Sequence, residues 1–382
     1  MPENLQKHSK LLVVSDTGMY QEKGKIYAFG PVVLELLEML SLFKTITWIG
    51  FNREDQKGND SYIEVKSTEI KIILLKRVGG SSIIDKLKIL SYYPKMRSII
   101  NSEIKQHQYI HNRAPSNPAY ISMLLSSKYP KKRFWFKYAG DWKGKASYFY
   151  NLQRNKLRKL KSNSIVTVNG SWKNQSKNII AFENPCLTEE DRSKGQAIIK
   201  NKKRTGKINY CFVGGLNINK GIDKILDAFK TIKTVDIGTF HIVGDGVLRN
   251  SIEKKIKELS FNCIVHGSLP KEHVVEIYKQ SHFIILPSES EGFPKVIGEA
   301  MNYGCVPIVS DVSCIGQYVI EGINGFLINP ITVDEIKKTI ERSLNISDKS
   351  FEMYLNKNYK RATIFTYDYY LDQIQNKIIK NN

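Results

Sequence analysis

The 382-residue chain has only five cysteines, an odd number with no C-x-x-C pair, so there is no disulfide framework to read. Cys186, Cys211, Cys263, Cys305 and Cys314 are expected to be small buried hydrophobes in a reducing compartment. Metal-ligand spacing is as scarce. Of seven histidines only His107 and His111 stand four apart, and they lack the glutamate of H-E-x-x-H, so no metal site is expected. Long apolar runs are missing too. The longest tract, Phe29 to Phe51, is broken by Glu35, Glu38 and Lys44, which argues against a membrane-spanning helix. The opening MPENLQKHSK has no apolar core of the secretory-signal kind, and the expectation is a cytoplasmic protein.

Acidic residues are scarcest where basic ones are densest. The net charge is +21, and between Lys71 and Lys177 stand 23 basic residues against Asp85, Glu103 and Asp141. The rest of the chain is close to neutral. Such a block suits a surface that meets a polyanion, or a solvated basic face without a partner.

Apolar residues at 41% describe an ordinary globular chain, and its length suits two domains. In the second half, short apolar runs alternate with amphipathic stretches. Strands are expected at 209–214, 239–243, 262–266, 282–286, 306–310 and 325–328. Helices are expected at 221–232, 248–259, 271–280 and 294–303. This is the pattern of a parallel sheet covered by helices on both faces. The first half repeats it less cleanly, with strands at 10–15, 45–49, 70–75, 109–111, 133–138 and 165–168, and a helix at 31–42. A glycine-containing loop is expected after the first strand, and Glu183–Asn209 reads as a hinge. The aromatic-rich end, 358–379, needs a surface to pack on, and the first domain is one option.

The stretch SESEGFPKVIGEAMNYGCVPIVSD (288–311) carries the most chemistry. Glu291 falls in the loop before a helix and Glu299 just inside it, at strand ends where open α/β sheets bind ligands. Gly292 permits close backbone approach, Pro294 suits the first helical turn, and the unpaired amides there form an anion site. Lys295 is the wrong charge for the helix dipole, and reads either as an anion's partner or as a solvent-facing lysine. Taken singly, Glu291 reads as a loop carboxylate and Glu299 as a helix-start carboxylate.

Together these residues resemble the retaining GT-B glycosyltransferases of the large family-4 group (glycosyl transferases group 1). The likeness lies in Glu291-Gly292-Phe293, Glu299-Ala300-Met301 and Gly304-Cys305-Val306-Pro307. Supporting pieces are VGGLNINKG (213–221), IVGDG (242–246), HGSLP (266–270) and NGFLINP (324–330). The resemblance implies an α/β chain of two Rossmann-like domains facing each other across a cleft. Residues 1–185 would form the acceptor side, with a C-terminal helix of about 360–382 packing back on it. Residues 186–359 would bind the nucleotide-sugar. The resemblance also implies that Glu299 takes the ribose hydroxyls, Glu291 the hydroxyls of the transferred sugar, and Lys220 the diphosphate. Gly215, Gly292, Phe293, Pro294 and Lys295 would line the donor site, with no metal or other cofactor and with anomeric retention.

Two departures stand out. Gly215 occupies the position of the family's arginine in G-R-L, and Ala139, in KYAGD, that of its histidine. Asp141 is the nearby candidate for a catalytic role, or else a turn aspartate. On the first domain, Gly18 is the expected glycine of the diphosphate loop, and His111 and Arg113 are candidates for an acceptor phosphate.

For the basic block the resemblance favours an anionic membrane surface, because many such enzymes extend lipid-linked glycans. Lys86–Ile100 and Arg154–Lys161 mix basic and apolar residues as interfacial segments do. The expected function is thus metal-independent glycosyl transfer from a nucleotide-sugar, with UDP favoured, to a glycan or lipid-linked acceptor. Its setting would be bacterial capsule, O-antigen or lipopolysaccharide synthesis, with the enzyme peripheral at the membrane. The alternatives are a GT-B nucleotide-sugar epimerase and a basic nucleic-acid-binding protein. No recognised nucleic-acid module is present, so no nucleic-acid partner is expected.

Overall fold

The computed structural model describes residues 10–78, 83–144, 146–160, 164–233 and 235–380, without the side chains of 83–90. The chain divides into two compact units, Met1–Phe182 with Leu371–Asn382, and Glu183–Tyr370. The boundary therefore falls three residues before the expected 185/186.

The first unit is built on β1 (Leu11–Glu22), β2 (Lys25–Phe29), β3 (Ile46–Asn52), β4 (Tyr62–Glu64), β5 (Ile70–Leu75), β6 (Tyr109–Ala114), β7 (Arg133–Tyr138), β8 (Ser164–Val168) and β9 (Ile179–Ala181). Its helices are α1 (Gly30–Met39), α2 (Ile83–Gln106), α3 (Asn117–Leu125) and α4 (Tyr148–Leu157). The parallel strands run β5-β3-β1-β6-β7-β8-β9. The chain leaves β1 toward β3 and β5, then returns to the other side of β1 at β6. The topological switch point thus lies between β1 and β6.

The expected loop after the first strand is a correction. β1 runs on to Glu22 and folds back through β2 as an antiparallel hairpin, Met19 to Glu22 pairing with Lys25 to Ala28. Gly18 therefore sits in a strand, at a shift in the β1–β3 register. A Cβ there would lie 2.8 Å from Tyr62 Oη and 2.9 Å from Arg53 Cγ, so the glycine packs against protein.

The second unit comprises α5 (Glu189–Asn201), β10 (Ile208–Val213), α6 (Ile222–Phe229), β11 (Ile237–Val243), α7 (Arg249–Lys255), β12 (Asn262–Gly267), α8 (Lys271–Gln280), β13 (Phe283–Leu286), α9 (Lys295–Asn302), β14 (Val306–Ser310), β15 (Phe326–Ile328), α10 (Val333–Leu344) and α11 (Asp348–Ala362). The sheet is wholly parallel in the order β12-β11-β10-β13-β14-β15, so its switch point lies between β10 and β13. Phe212, Ile284, Ile285, Ile308 and Val309 are fully buried, as strands covered on both faces require.

The expected hinge contains a helix, a second correction. Thr188 and Asp191 form a reciprocal capping box, and the acidic trio Glu189, Glu190 and Asp191 occupies the first turn of α5, where the dipole favours it. After α11 the chain forms α12 (Tyr367–Gln373), whose last residues group with the first unit; Ile374, Ile378 and Ile379 beyond it are buried.

Candidate functional site

At the second unit's switch point, the loops after β10 and β13 are tied together. Asn219 accepts from the Glu289 amide at 2.8 Å, and its side chain donates to the Ser290 carbonyl at 3.0 Å. Asn217 caps the short turn Ile218–Lys220. Gly221 follows at φ 69°, and a Cβ there would stand 2.7 Å from the Pro287 carbonyl, so only glycine lets the two loops close up. The geometry brings together two residues 71 apart in sequence, with Lys220 Nζ donating to Glu291 Oε1. Both side chains are partly exposed, at 22% and 12%.

The Gly292 carbonyl accepts from Cys314 Sγ at 3.2 Å, and Pro294 is the N-cap of α9. Lys295 opens that helix and remains half-buried. Glu299 lies one turn in, its Oε2 accepting from the Tyr278 hydroxyl at 3.3 Å. Burial raises its carboxyl pKa, against the pull of Lys271 and Lys295. Gly215 sits in the turn before Asn217, whose side-chain nitrogen would be 3.0 Å from an added Cβ. Phe293 points elsewhere. It is 7% exposed and stacks on Phe365 with ring centroids 4.8 Å apart and an interplanar angle of 15°, so it serves the core.

In the first unit, α1 lays Glu35 on its buried face, over β6 and β7. Arg113 and Lys137 are register partners on those strands, as are His111 and Trp135 two residues earlier. Lys137 Nζ donates to both Glu35 oxygens at 3.0 Å, and Arg113 Nη1 donates to Oε1 at 2.8 Å. Sequence reasoning missed Glu35 and Lys137. The available signal was a carboxylate on the apolar face of a helix, and it served only to reject a membrane span.

His111 was expected to meet a ligand, and the structure corrects this. It is fully buried, stacked on Trp135 with centroids 3.8 Å apart. Burial, helped by Arg113 and Lys137, holds its pKa well below the ordinary value, so the ring is neutral. Asp141 is a turn residue, its Oδ1 accepting from the amides of Lys143 and Gly144, each at 2.9 Å.

The basic block is likewise partly structural. Arg154 Nη1 donates to the Asp141 carbonyl at 2.8 Å, Arg158 to the Trp142 carbonyl at 2.9 Å, and Lys132 to the Lys105 carbonyl at 3.0 Å. Met96 and Ile100 are core residues, with Tyr92, Tyr93 and Ile99 packed against the same cluster, so five of the ten residues 91–100 face inward. The side chains of 86–90 and Lys161 lie outside the described residues. Among the described residues no helix is long and apolar enough to cross a membrane, and no group of three or more metal-ligating side chains occurs.

Comparison with known proteins bears on the second unit first. Residues 193–361 match the family model described as glycosyl transferases group 1. An uncharacterised glycosyltransferase of Methanocaldococcus jannaschii is 32% identical over 142 residues, 37% of this chain and 39% of that protein. The lipopolysaccharide 1,2-N-acetylglucosaminetransferase of Salmonella typhimurium is 30% identical over 145 residues, 35% of this chain and 38% of that protein. The chain thus spans about two fifths of the length of these two curated relatives. Anabaena HepE, solved in complex with UDP, superposes with a TM-score of 0.66 at 15% identity, covering 97% of this chain and 99% of its own. Residues 193–361 are therefore similar to the glycosyl transferases group 1 family, and the chain that carries them has the GT-B fold.

Proposed function

We propose that this protein transfers a glycosyl group from a nucleotide-sugar to a glycan or lipid-linked glycan acceptor, with retention and without a metal. The observation that carries the reading is the Lys220–Glu291 contact at the second unit's switch point, beside the N-terminus of α9. Breaking the sugar–phosphate bond builds negative charge on the leaving diphosphate. A fixed ammonium and helix-end amides stabilise that charge more in the transition state than in the ground state. The arriving diphosphate takes Lys220 and displaces Glu291, which is left to accept hydrogen bonds from the hydroxyls of the transferred sugar. Glu299 accepts the ribose hydroxyls. The departing phosphate oxygen takes the acceptor's proton as the new bond forms on the same face.

UDP is the favoured leaving group, in keeping with the UDP held by the HepE structure. The named Salmonella relative acts in lipopolysaccharide assembly, and we assign this chain to bacterial surface polysaccharide synthesis of that kind. A peripheral membrane position on the cytoplasmic side fits the exposed Tyr148, Tyr150 and Leu152, which share their helix with Lys156. Flotation with anionic liposomes at low salt tests that part, and no binding there removes it.

The catalytic reading is tested by thermal unfolding against a panel of nucleotides and nucleotide-sugars. A bound donor raises the apparent Tm by mass action. A rise with UDP or a UDP-sugar is expected, and no rise with any member overturns the reading.

A further inference from the structure

The switch point of the first unit holds a charge arrangement that donor binding does not use. Glu35 is 1% exposed, and it faces two cations. Lys137 alone, bonded to both its oxygens, balances the carboxylate. Adding Arg113 gives the Glu35 cluster one positive charge more than that carboxylate neutralises, and this charge turns toward water and the Asp16 carboxyl. His111 adds no third charge, because it is neutral. Arg113 is the member that reaches outward. Its side chain is 21% exposed, against 7% for Lys137. A guanidinium has five N–H donors in a rigid fork suited to phosphate and carboxylate, and the bond to Glu35 holds that fork in place.

Arg113 stands near the C-terminal end of β6, and Asp16 lies on neighbouring β1 just past Val14, whose register partner is Asn112. The two flank the crevice where an α/β sheet of this topology takes its ligand. Asp16 is exposed there; crowding by the surrounding protein raises its carboxyl pKa, while its own backbone and Arg113 pull it down.

We infer that Arg113, braced by Glu35 and Lys137, anchors an anionic substituent, phosphate or carboxylate, on the acceptor sugar, with Asp16 accepting hydroxyls of the same sugar. This rests on the glycosyl-transfer reading. It adds that the acceptor is acidic and that its anionic group is held by residues of the first unit. Glu35 and Lys137 are positioning residues here, since they act through Arg113.

The test uses the full chain and three probes: inorganic phosphate, glucuronate and, as the neutral control, glucose. Binding is followed by ³¹P line broadening for phosphate and by saturation-transfer NMR for the sugars. At least one anion is expected to bind, with glucose undetected. Arg113→Gln leaves the Glu35–Lys137 pair intact and should fold; it is expected to weaken anion binding about 10-fold or more, the loss of one charge-assisted pair. Arg113→Lys should recover part of the loss. Lys220→Ala should leave this binding unchanged, which separates it from any phosphate held in the second unit. A preference for phosphate assigns a phosphorylated acceptor, and a preference for glucuronate an acidic sugar. Equal anion binding by Arg113→Gln and wild type, or equal binding of glucose, overturns the inference. UDP titration on the same samples reports separately on the donor reading, so either can fail without the other.

Discussion

Both units carry a charged group at the switch point of a parallel sheet, between β1 and β6 in one and between β10 and β13 in the other. The contents differ. In the first unit a buried glutamate is bonded to two cations from adjacent strands, and only the arginine reaches solvent. In the second, one lysine and one glutamate meet, both partly exposed, on loops tied through the backbone and side chain of Asn219. A satisfied buried cluster is stability and positioning. A solvent-reached pair on a braced loop can be taken apart by a ligand without unfolding its surroundings. The same topology thus supports an internal brace on one side and an exchangeable contact on the other.

The largest effect should come from removing the exchangeable cation. Lys220→Ala is expected to lower kcat by about 10²–10³-fold, the range for a lost transition-state electrostatic partner. Nucleotide affinity should fall less, and steady-state kinetics decide. A loss confined to KM would show that Lys220 binds donor without acting on the leaving phosphate.

Glu35→Gln breaks the brace. It strands two cations on a neutral amide, so a loss of about 3–5 kcal/mol is expected in denaturant unfolding. Glu291→Gln, at the exposed pair, should cost no more than about 1 kcal/mol. Comparable losses for the two would erase the distinction drawn between the crevices.

The smallest and most diagnostic effect concerns Glu299. Its folded pKa is raised by burial, so the folded state binds the proton more tightly than the unfolded chain. Its contribution is therefore most favourable below the ordinary glutamate pKa and is lost as pH rises through the raised value. Glu299→Gln should accordingly melt at or above wild type at pH 7, with the advantage vanishing as pH falls to the ordinary glutamate range. UDP should nevertheless bind it more weakly. A variant that is less stable at pH 7 and binds UDP normally would make Glu299 a structural residue.

The second unit was legible in outline because its strands are short apolar runs, such as NYCFVG and HFIIL, punctuated by glycine and proline, and because Glu291 and Glu299 lie close in sequence. The first unit was less so, for reasons of distance and composition. Glu35 and Lys137 are 102 residues apart, and nothing local marks them as partners. The β1–β2 hairpin carries Gly18 and Gly24 and resembled a loop, although cross-strand pairing and the stacked rings of Tyr20 and Tyr27, 5.0 Å apart, hold it extended. Helix α5 lacks an apolar stripe, and its capping box, Thr188 with Asp191, was the signal that went unread. Charge density misled in a different way. Lys137, Arg154 and Lys132 count toward the basic block, yet each is spent on a buried carboxylate or a backbone carbonyl rather than on a surface.

Amide hydrogen exchange of the full chain with and without UDP tests the central contrast most directly. Protection is expected in the loops 214–221 and 287–295 and at the start of α9, with the amides near Asp16 and Arg113 unchanged. Protection centred on 14–18 and 111–116, with the second unit's loops unaffected, would contradict it.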